Sequence, residues 1–368
     1  MAQVAMNEFR AEPEALVQAE IAACERVIRS GWWVLGKEVT AFESEWAQRL
    51  GVPHALGCGN GMDAIELGLR ALGVGAGDEV ITTPMTAFAT VLAVLRAGAT
   101  PVLADVTPDT AMLDPASVQR CIGPLTRAIV LVHLYGQLGP VEELLRLTSP
   151  RGIHLVEDCA QAHGAMSHGR SAGSFGALGA WSFYPTKNLG ALGDGGALST
   201  RSAELADKVV SLRNYGQTVR YHHPHVGMNS RLDEIQAAIL RERLPYLDGW
   251  TLRRREIAVL YAREIRHPAV QLLPLPAEPE RHVHHLCVVT CKQRESLQQH
   301  LKDGGVDSLI HYPIPIHHQE PCRSILRDPA GLSSAESHAA HCLSIPCHPA
   351  MTDGQVEQVV AAVNTFQV

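Results

Sequence analysis

Short apolar runs alternate with amphipathic segments through the first 160 residues, and this alternation limits the possible folds more than any other feature of the chain. DEVITT (78–83), ATPVLADV (99–106) and AIVLVHLYG (128–136) have the composition of buried strands. The segments 62–72 and 86–97 between them space their apolar residues by three and four, as helices do. Strands that alternate with helices predict βαβ units, so we expect an α/β protein with a mostly parallel sheet.

The second half of the chain differs in composition and predicts a second domain. A glycine-rich stretch at 176–200 predicts turns and close backbone contacts. A helical tract from about 231 to 266, interrupted near Pro245, follows it. A chain of 368 residues, 46% of them hydrophobic, can bury a large core and a smaller one. We therefore predict a large domain over 1–248, including an N-terminal arm, and a small α/β domain over 249–368.

Composition and charge argue against several classes of protein. No apolar run approaches the ~20 residues of a membrane span, and the first thirty residues lack a signal-peptide pattern, so we expect a cytoplasmic protein. A net charge of -7 without basic blocks disfavours nucleic acid as a partner. Nine scattered cysteines without a CxxC pair predict reduced thiols. The 19 histidines form no HExxH or paired CxxC/HxxxH motif, so we predict no metal site and interpret them as surface, core or substrate-contacting side chains.

Lys187 is the first candidate catalytic residue. The chain has only five lysines against 26 arginines, and four of the five lie in polar surroundings where a solvated charge is expected. Lys187 instead follows the apolar run AWSFYP and precedes a glycine-rich turn. We expect burial at the end of this strand to lower the pKa of its amine, as a lysine that attacks carbonyl groups requires. This feature alone would also fit an aldolase.

Asp158 indicates which cofactor such a lysine would serve. It ends the apolar strand HLVED, 29 residues before Lys187, at the carboxyl edge where parallel sheets bind ligands. A pyridoxal ring needs a carboxylate beside its nitrogen, because the protonated ring stabilises a carbanion. The alternative is that Asp158 caps a following helix.

A phosphate group could bind where the glycine-rich turn GCGNGMDAIEL (57–67) leads into a helix, because N–H groups are exposed at a helix N-terminus. Ser182, five residues before Lys187, offers a hydroxyl nearby. The alternatives are an ordinary turn and an ordinary polar strand residue.

Together these segments resemble the DegT/DnrJ/StrS family of pyridoxal-phosphate-dependent nucleotide-sugar aminotransferases. The similarity runs from about residue 28 to 352 and includes, in order, GKEVTAFESEWAQRLGVPHALGCGNGMDA, GAGDEVITTP, GATPVLADV, AIVLVHLYGQ, VEDCAQAHGA, WSFYPTKNLGALGDGGAL, RNYGQ, GMNSRLDEIQAAIL and IHYPIPIH. It implies fold type I of the pyridoxal-phosphate enzymes, with a seven-stranded type of large sheet. It also implies a homodimer whose active sites lie at the subunit interface.

The resemblance also implies a role for individual residues. It makes Lys187 the Schiff-base lysine, Asp158 the partner of the ring nitrogen and Gln161 a contact near the ring hydroxyl. The phosphate would be held by Ser182, by the amides of Gly61 and Met62, and by Asn229 from the partner subunit.

Two positions depart from the family pattern. Met62 stands where many members have threonine, so only its amide can serve the phosphate. The aromatic residue that usually stacks on the ring aligns with Ala87. Either the next residue, Phe88, takes over the stacking, or Asp158 and Gln161 hold the ring alone.

The reaction implied is a two-step transamination from an amino acid, with L-glutamate as the expected donor, to a nucleotide-linked keto-sugar. NGMDA, QAHGA and IHYPIPIH look more like the branch that makes 3-amino-3,6-dideoxy sugars, so we expect a 3-keto-6-deoxyhexose. The other candidates are a 4-keto-sugar or cyclitol aminotransferase, a sugar dehydratase and a non-enzymatic regulator. Dehydrating members replace the lysine with histidine, whereas this chain has Lys187.

Two groups of residues are candidates for binding the substrate. Tyr215 and Tyr221, with Arg213 and Arg220, could meet the nucleotide, whereas His311, Tyr312 and His317 lie on a proline-stiffened loop that could close over the sugar. The alternative for all of them is ordinary loop packing.

Overall fold

The computed structural model describes residues 3–367, which form two sheets with helices around them and a small hairpin. The strands are β1 (His54–Cys58), β2 (Glu79–Thr82), β3 (Thr100–Leu103), β4 (Thr126–Val132), β5 (His154–Asp158), β6 (Met166–Ser167), β7 (Arg170–Ser171), β8 (Leu178–Ser182), β9 (Gly196–Thr200), β10 (Gln271–Leu272), β11 (Cys287–Thr290), β12 (Leu326–Arg327) and β13 (Cys342–Ile345). The helices are α1 (Glu14–Ser30), α2 (Lys37–Leu50), α3 (Gly61–Ala71), α4 (Phe88–Arg96), α5 (Pro115–Cys121), α6 (Val141–Thr148), α7 (Ala203–Leu212), α8 (Glu234–Arg243), α9 (Leu247–Glu264), α10 (Arg294–Asp303), α11 (Ser333–His341) and α12 (Asp353–Asn364).

Eight strands form the large sheet in the order β1-β9-β8-β5-β4-β2-β3-β12. The five neighbouring pairs from β8 to β12 are parallel, and the two pairs made by β9 are antiparallel. The expected α/β fold with a mostly parallel sheet is therefore confirmed.

Helices cover both faces of this sheet. One apolar cluster includes Phe42 and Trp46 of α2 with Leu240 of α8, and the other includes Leu67 of α3 and Val209 of α7. A strand buried on both faces needs apolar residues at every position, which explains why the sequence shows continuous runs rather than alternation.

A second, smaller sheet is formed mainly by later parts of the chain. Strands β10, β11 and β13 form an antiparallel sheet that packs with α9, α10 and α12 around Tyr261, Val289 and Leu301. The helical tract is interrupted near Pro245 by one 3-10 turn, Leu244–Tyr246. The domain boundary at residue 248 stays a prediction, because Val4 bridges to Val306 and the late strand β12 joins the large sheet.

All nine cysteines are free thiols, as predicted. Within residues 3–367, no helix combines the length and apolarity needed to cross a bilayer.

Candidate active site

Asp158 and Lys187 lie at the carboxyl edge of the large sheet. Asp158 is the last residue of β5 and pairs in register with Ala180 of β8, the strand that leads to Lys187. A tight turn follows β8, in which the Lys187 N–H donates to the Tyr184 carbonyl at 2.8 Å. Each ionisable group acts on the pKa of the other, so the two side chains share one cleft.

Burial controls the protonation of Lys187. It lowers the pKa of the amine to about 8, against the opposing attraction of Asp158. Burial, together with the charge of Lys187, also lowers the pKa of three nearby imidazoles, His163, His285 and His311. The cleft therefore contains neutral histidines, and the predicted lowering of the lysine pKa is confirmed.

Asp158 is buried and its carboxylate is partly satisfied. One oxygen accepts from the Thr90 hydroxyl at 2.9 Å and the other from the Ala160 N–H at 3.1 Å. Burial raises its pKa, whereas these two bonds and Lys187 lower it. Across residues 3–367 no helix begins at this turn, so the alternative reading of Asp158 as a helix cap does not apply.

The glycine-rich turn and the end of β8 make a second part of the cleft. A methyl group added to Gly61 would lie 2.6 Å from the Cβ of Ser182, so the first turn of α3 is in direct contact with that residue. Asn60 caps α3 by accepting the Asp63 N–H at 2.9 Å. Among residues 3–367, no acceptor pairs with the amides of Gly61 and Met62, and these N–H groups are available to an anion.

Gln161 connects the cofactor candidates to the substrate candidates. Its side-chain oxygen accepts the Tyr135 N–H, and its amide nitrogen donates to the Tyr312 hydroxyl at 3.2 Å. The neighbouring His311 ring is bonded to the Ser344 hydroxyl at 2.8 Å. Sequence reasoning missed Tyr135 and Thr90. The available signal for the latter was the pair of Thr86, just before α4, and Thr90 in its first turn, four residues apart in an apolar stretch.

Within residues 3–367, the other predicted residues make no hydrogen bond to Asp158, Lys187 or Gln161, apart from Tyr312. Phe88 packs in a separate cluster with Val91 and Ile316, and the His317 ring is bonded to Glu336 at 3.0 Å. Asn229, Tyr215 and Tyr221 are exposed on the loop after α7.

Arg213 corrects one expectation. It was expected at the mouth of the site, but it is buried in an ion pair with Glu43 and donates to the Gly57 carbonyl at 2.7 Å. Its guanidinium is therefore committed within the fold.

The residues fit a pyridoxal phosphate. One cleft holds an amine of lowered pKa, a buried carboxylate, and unpaired N–H groups at a helix N-terminus. These are the three groups that the aldehyde, the ring nitrogen and the phosphate of that cofactor require.

Known proteins resemble the chain over almost its whole length. A dTDP-3-amino-3,4,6-trideoxy-alpha-D-glucose transaminase of Streptomyces venezuelae is 43% identical over 365 residues, which is 99% of this chain and 94% of the relative. A dTDP-3-amino-3,6-dideoxy-alpha-D-galactopyranose transaminase of Aneurinibacillus thermoaerophilus is 44% identical over 344 residues, or 94% of each. A pleiotropic regulatory protein of Geobacillus stearothermophilus is 40% identical over 365 residues, or 99% of this chain and 98% of the relative.

Solved structures agree in fold. S. venezuelae DesV, in complex with a ketimine intermediate, matches with a TM-score of 0.95 at 42% identity, covering 99% of this chain and 98% of that one. NtdA of Bacillus subtilis, with bound cofactor PMP, matches with a TM-score of 0.91 at 27% identity, covering 99% and 85%. Residues 14–364 match the DegT/DnrJ/EryC1/StrS aminotransferase family as a whole. The expected resemblance is confirmed, and this chain belongs to the DegT/DnrJ/EryC1/StrS aminotransferase family.

Proposed function

We propose that this protein is a pyridoxal-phosphate-dependent aminotransferase that transfers the amino group of an amino acid to a nucleotide-linked keto-sugar. L-Glutamate is the expected donor, and the cytoplasm is the expected place of action. The observation that carries the proposal is the buried Asp158 beside Lys187, whose pKa is lowered to about 8, at the carboxyl edge of the sheet. Membership of an aminotransferase family supports it independently.

Each residue of the cleft has a task in this reaction. The bound cofactor supplies a ring that stabilises a carbanion when its nitrogen is protonated. Asp158 would hold the proton on that nitrogen, while Ser182 and the amides of Gly61 and Met62 would donate to the phosphate. The neutral Lys187 amine would hold the cofactor covalently, and when free its Nζ would move a proton to or from the substrate carbon.

The acceptor is proposed to be a nucleotide-linked 3-keto-6-deoxyhexose. Two relatives above 40% identity are named as transaminases of dTDP-linked 3-amino sugars. His311 and Tyr312 lie next to Gln161 and offer an imidazole and a hydroxyl to sugar oxygens. Tyr215 and Tyr221 are proposed to contact the nucleotide, because both are exposed.

The test measures amination of keto-sugars, with the products identified by mass spectrometry. The purified protein, L-glutamate and pyridoxal phosphate are incubated with thymidine-diphosphate 3-keto-6-deoxyglucose, its 4-keto isomer, or a free cyclitol ketone. We expect a glutamate-dependent amino product from the 3-keto compound. Exclusive use of the 4-keto isomer or the cyclitol would contradict the sugar while leaving the aminotransferase standing.

A regulatory role is the second candidate, because one relative is named a pleiotropic regulatory protein. A regulator without catalysis would need neither the carboxylate of Asp158 nor the amine of Lys187 in one cleft. Absence of any amino product from a panel of donors and keto-sugars, in protein that binds the cofactor, would favour that role.

The active form is proposed to be a homodimer with shared sites. The loop after α7 carries Asn229 together with the exposed apolar residues Val219 and Val226. Such residues are expected to be covered by a partner. Asn229 is proposed to reach the phosphate of the partner subunit's cofactor.

A further inference from the structure

We propose that Tyr135 is a positioning residue of this aminotransferase, which orients Gln161 and the segment 311–312 so that Tyr312 presents its hydroxyl proton to the cleft in front of Lys187. The inference rests on the proposed function, since it assigns a role within that site. Tyr135 lies in the 3-10 turn Leu134–Gly136, which follows β4 of the large sheet, whereas Tyr312 lies in the segment between α10 and β12. Tyr135 therefore connects two segments of the chain that are distant in sequence.

The backbone of Tyr135 fixes the orientation of the Gln161 amide. Tyr135 is fully buried and has φ 60 and ψ 2, a left-handed conformation that costs free energy for a non-glycine residue. Its N–H points at the side chain of Gln161. Because an N–H can only donate, the atom facing it must be the Gln161 oxygen, and the amide nitrogen must face Tyr312.

The phenol of Tyr135 fixes the segment 311–312. Its oxygen lies within hydrogen-bonding distance of the His311 carbonyl and, at 2.9 Å, of the His338 Nε2. The carbonyl can only accept, so Tyr135 donates its one proton there, and His338 must donate to the phenol oxygen. Burial lowers the pKa of His338 to about 4, which leaves a neutral ring with its single proton on Nε2.

With the hydrogen bonds in these directions, the Tyr312 hydroxyl is left at the cleft as a donor without an acceptor among residues 3–367. The Tyr312 oxygen accepts from Gln161, and across residues 3–367 its own proton has no acceptor. Burial, together with the negative charge of Asp158, raises the pKa of Tyr312 to about 12, so it stays a phenol. The Tyr312 hydroxyl can therefore donate to an oxyanion or carbonyl oxygen of a bound cofactor or keto-sugar.

The test replaces Tyr135 by phenylalanine and uses Tyr261→Phe as the matched control. Tyr261 is equally buried and donates to the Pro346 carbonyl at 2.8 Å, within the core of the small sheet. Both variants lose one phenol-to-carbonyl bond, and Tyr135→Phe also loses the bond from His338, so its loss of thermal stability should be the larger of the two. Only Tyr135→Phe should raise the KM for the keto-sugar or lower kcat, by about fivefold to tenfold in kcat/KM, as loss of one hydrogen bond predicts.

A second readout does not depend on catalysis. Amide hydrogen exchange in the purified protein should be faster over residues 309–314 in Tyr135→Phe and unchanged in Tyr261→Phe. If the two variants agree both in exchange and in kcat/KM, the proposal is overturned. If wild-type protein fails to transaminate, the proposed function fails, and the exchange measurement still decides whether Tyr135 positions the segment.

His338 provides a route if Tyr135→Phe does not fold. His338→Gln keeps an N–H donor near the phenol, whereas His338→Leu removes it. We expect amide exchange over residues 309–314 to be faster than in wild-type protein in His338→Leu, and closer to the wild-type rate in His338→Gln. Indistinguishable exchange in wild-type protein and both His338 variants would overturn the proposal.

Discussion

The fold buries the amine of Lys187, and burial disfavours its charged form. Burial lowers its pKa from 10.5 to about 8, so at neutral pH it loses its proton far more easily than an exposed lysine. We predict that the rate at which added pyridoxal phosphate bonds to cofactor-free protein rises with pH and levels off above about 8. Stopped-flow absorbance measures it. A rate that keeps rising towards pH 10.5 would contradict the assignment of the lysine.

Substitution tests the same residue directly. Lys187→Ala should bind the cofactor only noncovalently and lose turnover, whereas Lys208→Ala, which removes an exposed lysine paired with Glu204, should behave like wild type. Borohydride reduction followed by peptide mass spectrometry should locate the label on Lys187. Wild-type turnover in Lys187→Ala would refute its role.

The lowered pKa also has a consequence for stability. Between pH 8 and 10.5 the unfolded chain binds a proton that the folded chain does not, so this group makes the folded state more stable as pH rises through that window. Lys187→Met should therefore stabilise the cofactor-free protein at pH 7, and its advantage should shrink above pH 8. Chemical denaturation at several pH values measures it, and an advantage independent of pH would argue against a buried amine.

Asp158 is expected to act through its charge. Asp158→Asn should keep the fold, because an amide can still bond to Thr90 and to the Ala160 N–H. It cannot hold a proton on the ring nitrogen by charge, so kcat should fall by on the order of a hundredfold or more. Steady-state kinetics with a circular dichroism control decide it, and normal turnover would leave Asp158 a structural residue.

At the scale of the element, the first turn of α3 is the part most sensitive to added volume. Gly61→Ala would place a Cβ 2.6 Å from that of Ser182, and overpacking of this kind costs about 1–3 kcal/mol. The same substitution at Gly249, a helical position with open space around it, should stabilise the protein by roughly 0.5–1 kcal/mol. Of the two variants, only Gly61→Ala should have a lower melting temperature and a lower affinity for pyridoxal phosphate. Thermal unfolding and equilibrium binding measure the two quantities.

The strands, and the position of Asp158 and Lys187 at one edge of the sheet, were predictable because they depend on local patterns. The apolar runs gave the strands, and the rule for the carboxyl edge brought Asp158 and Lys187 together. The sequence did not predict which side of α4 faces Asp158, because the helix is apolar on most sides. Phe88 lies two positions from Thr90, about 200° around the helix, and so faces away from Asp158.

Long-range partners explain the remaining differences. The error at Arg213 arose because its partner, Glu43, is 170 residues away in the sequence. A partner at that distance leaves no local pattern.

Asn229 is predicted to act in the active site of the partner subunit, so this prediction concerns the whole dimer. If it serves the partner's site, mixing Lys187→Ala with Asn229→Ala subunits should produce hybrids with one intact site. Random pairing makes half of the dimers hybrid, so about a quarter of wild-type activity should return. Activity assays on reassociated subunits measure it. No recovery, with hybrids detected by native mass spectrometry, would place Asn229 outside the partner's site.

Strand β12 makes the two parts of the chain difficult to separate. It lies beyond residue 320 yet pairs with β3 at the end of the large sheet, and Asp328 next to it is bonded to Ser117 and Arg120 of α5. A fragment that stops at residue 248 would expose β3 as an unpaired apolar edge, a surface on which strands of other molecules can add. The first two-thirds of the chain would then be prone to aggregate when expressed alone, because the late residues cover the edge of the sheet that precedes them.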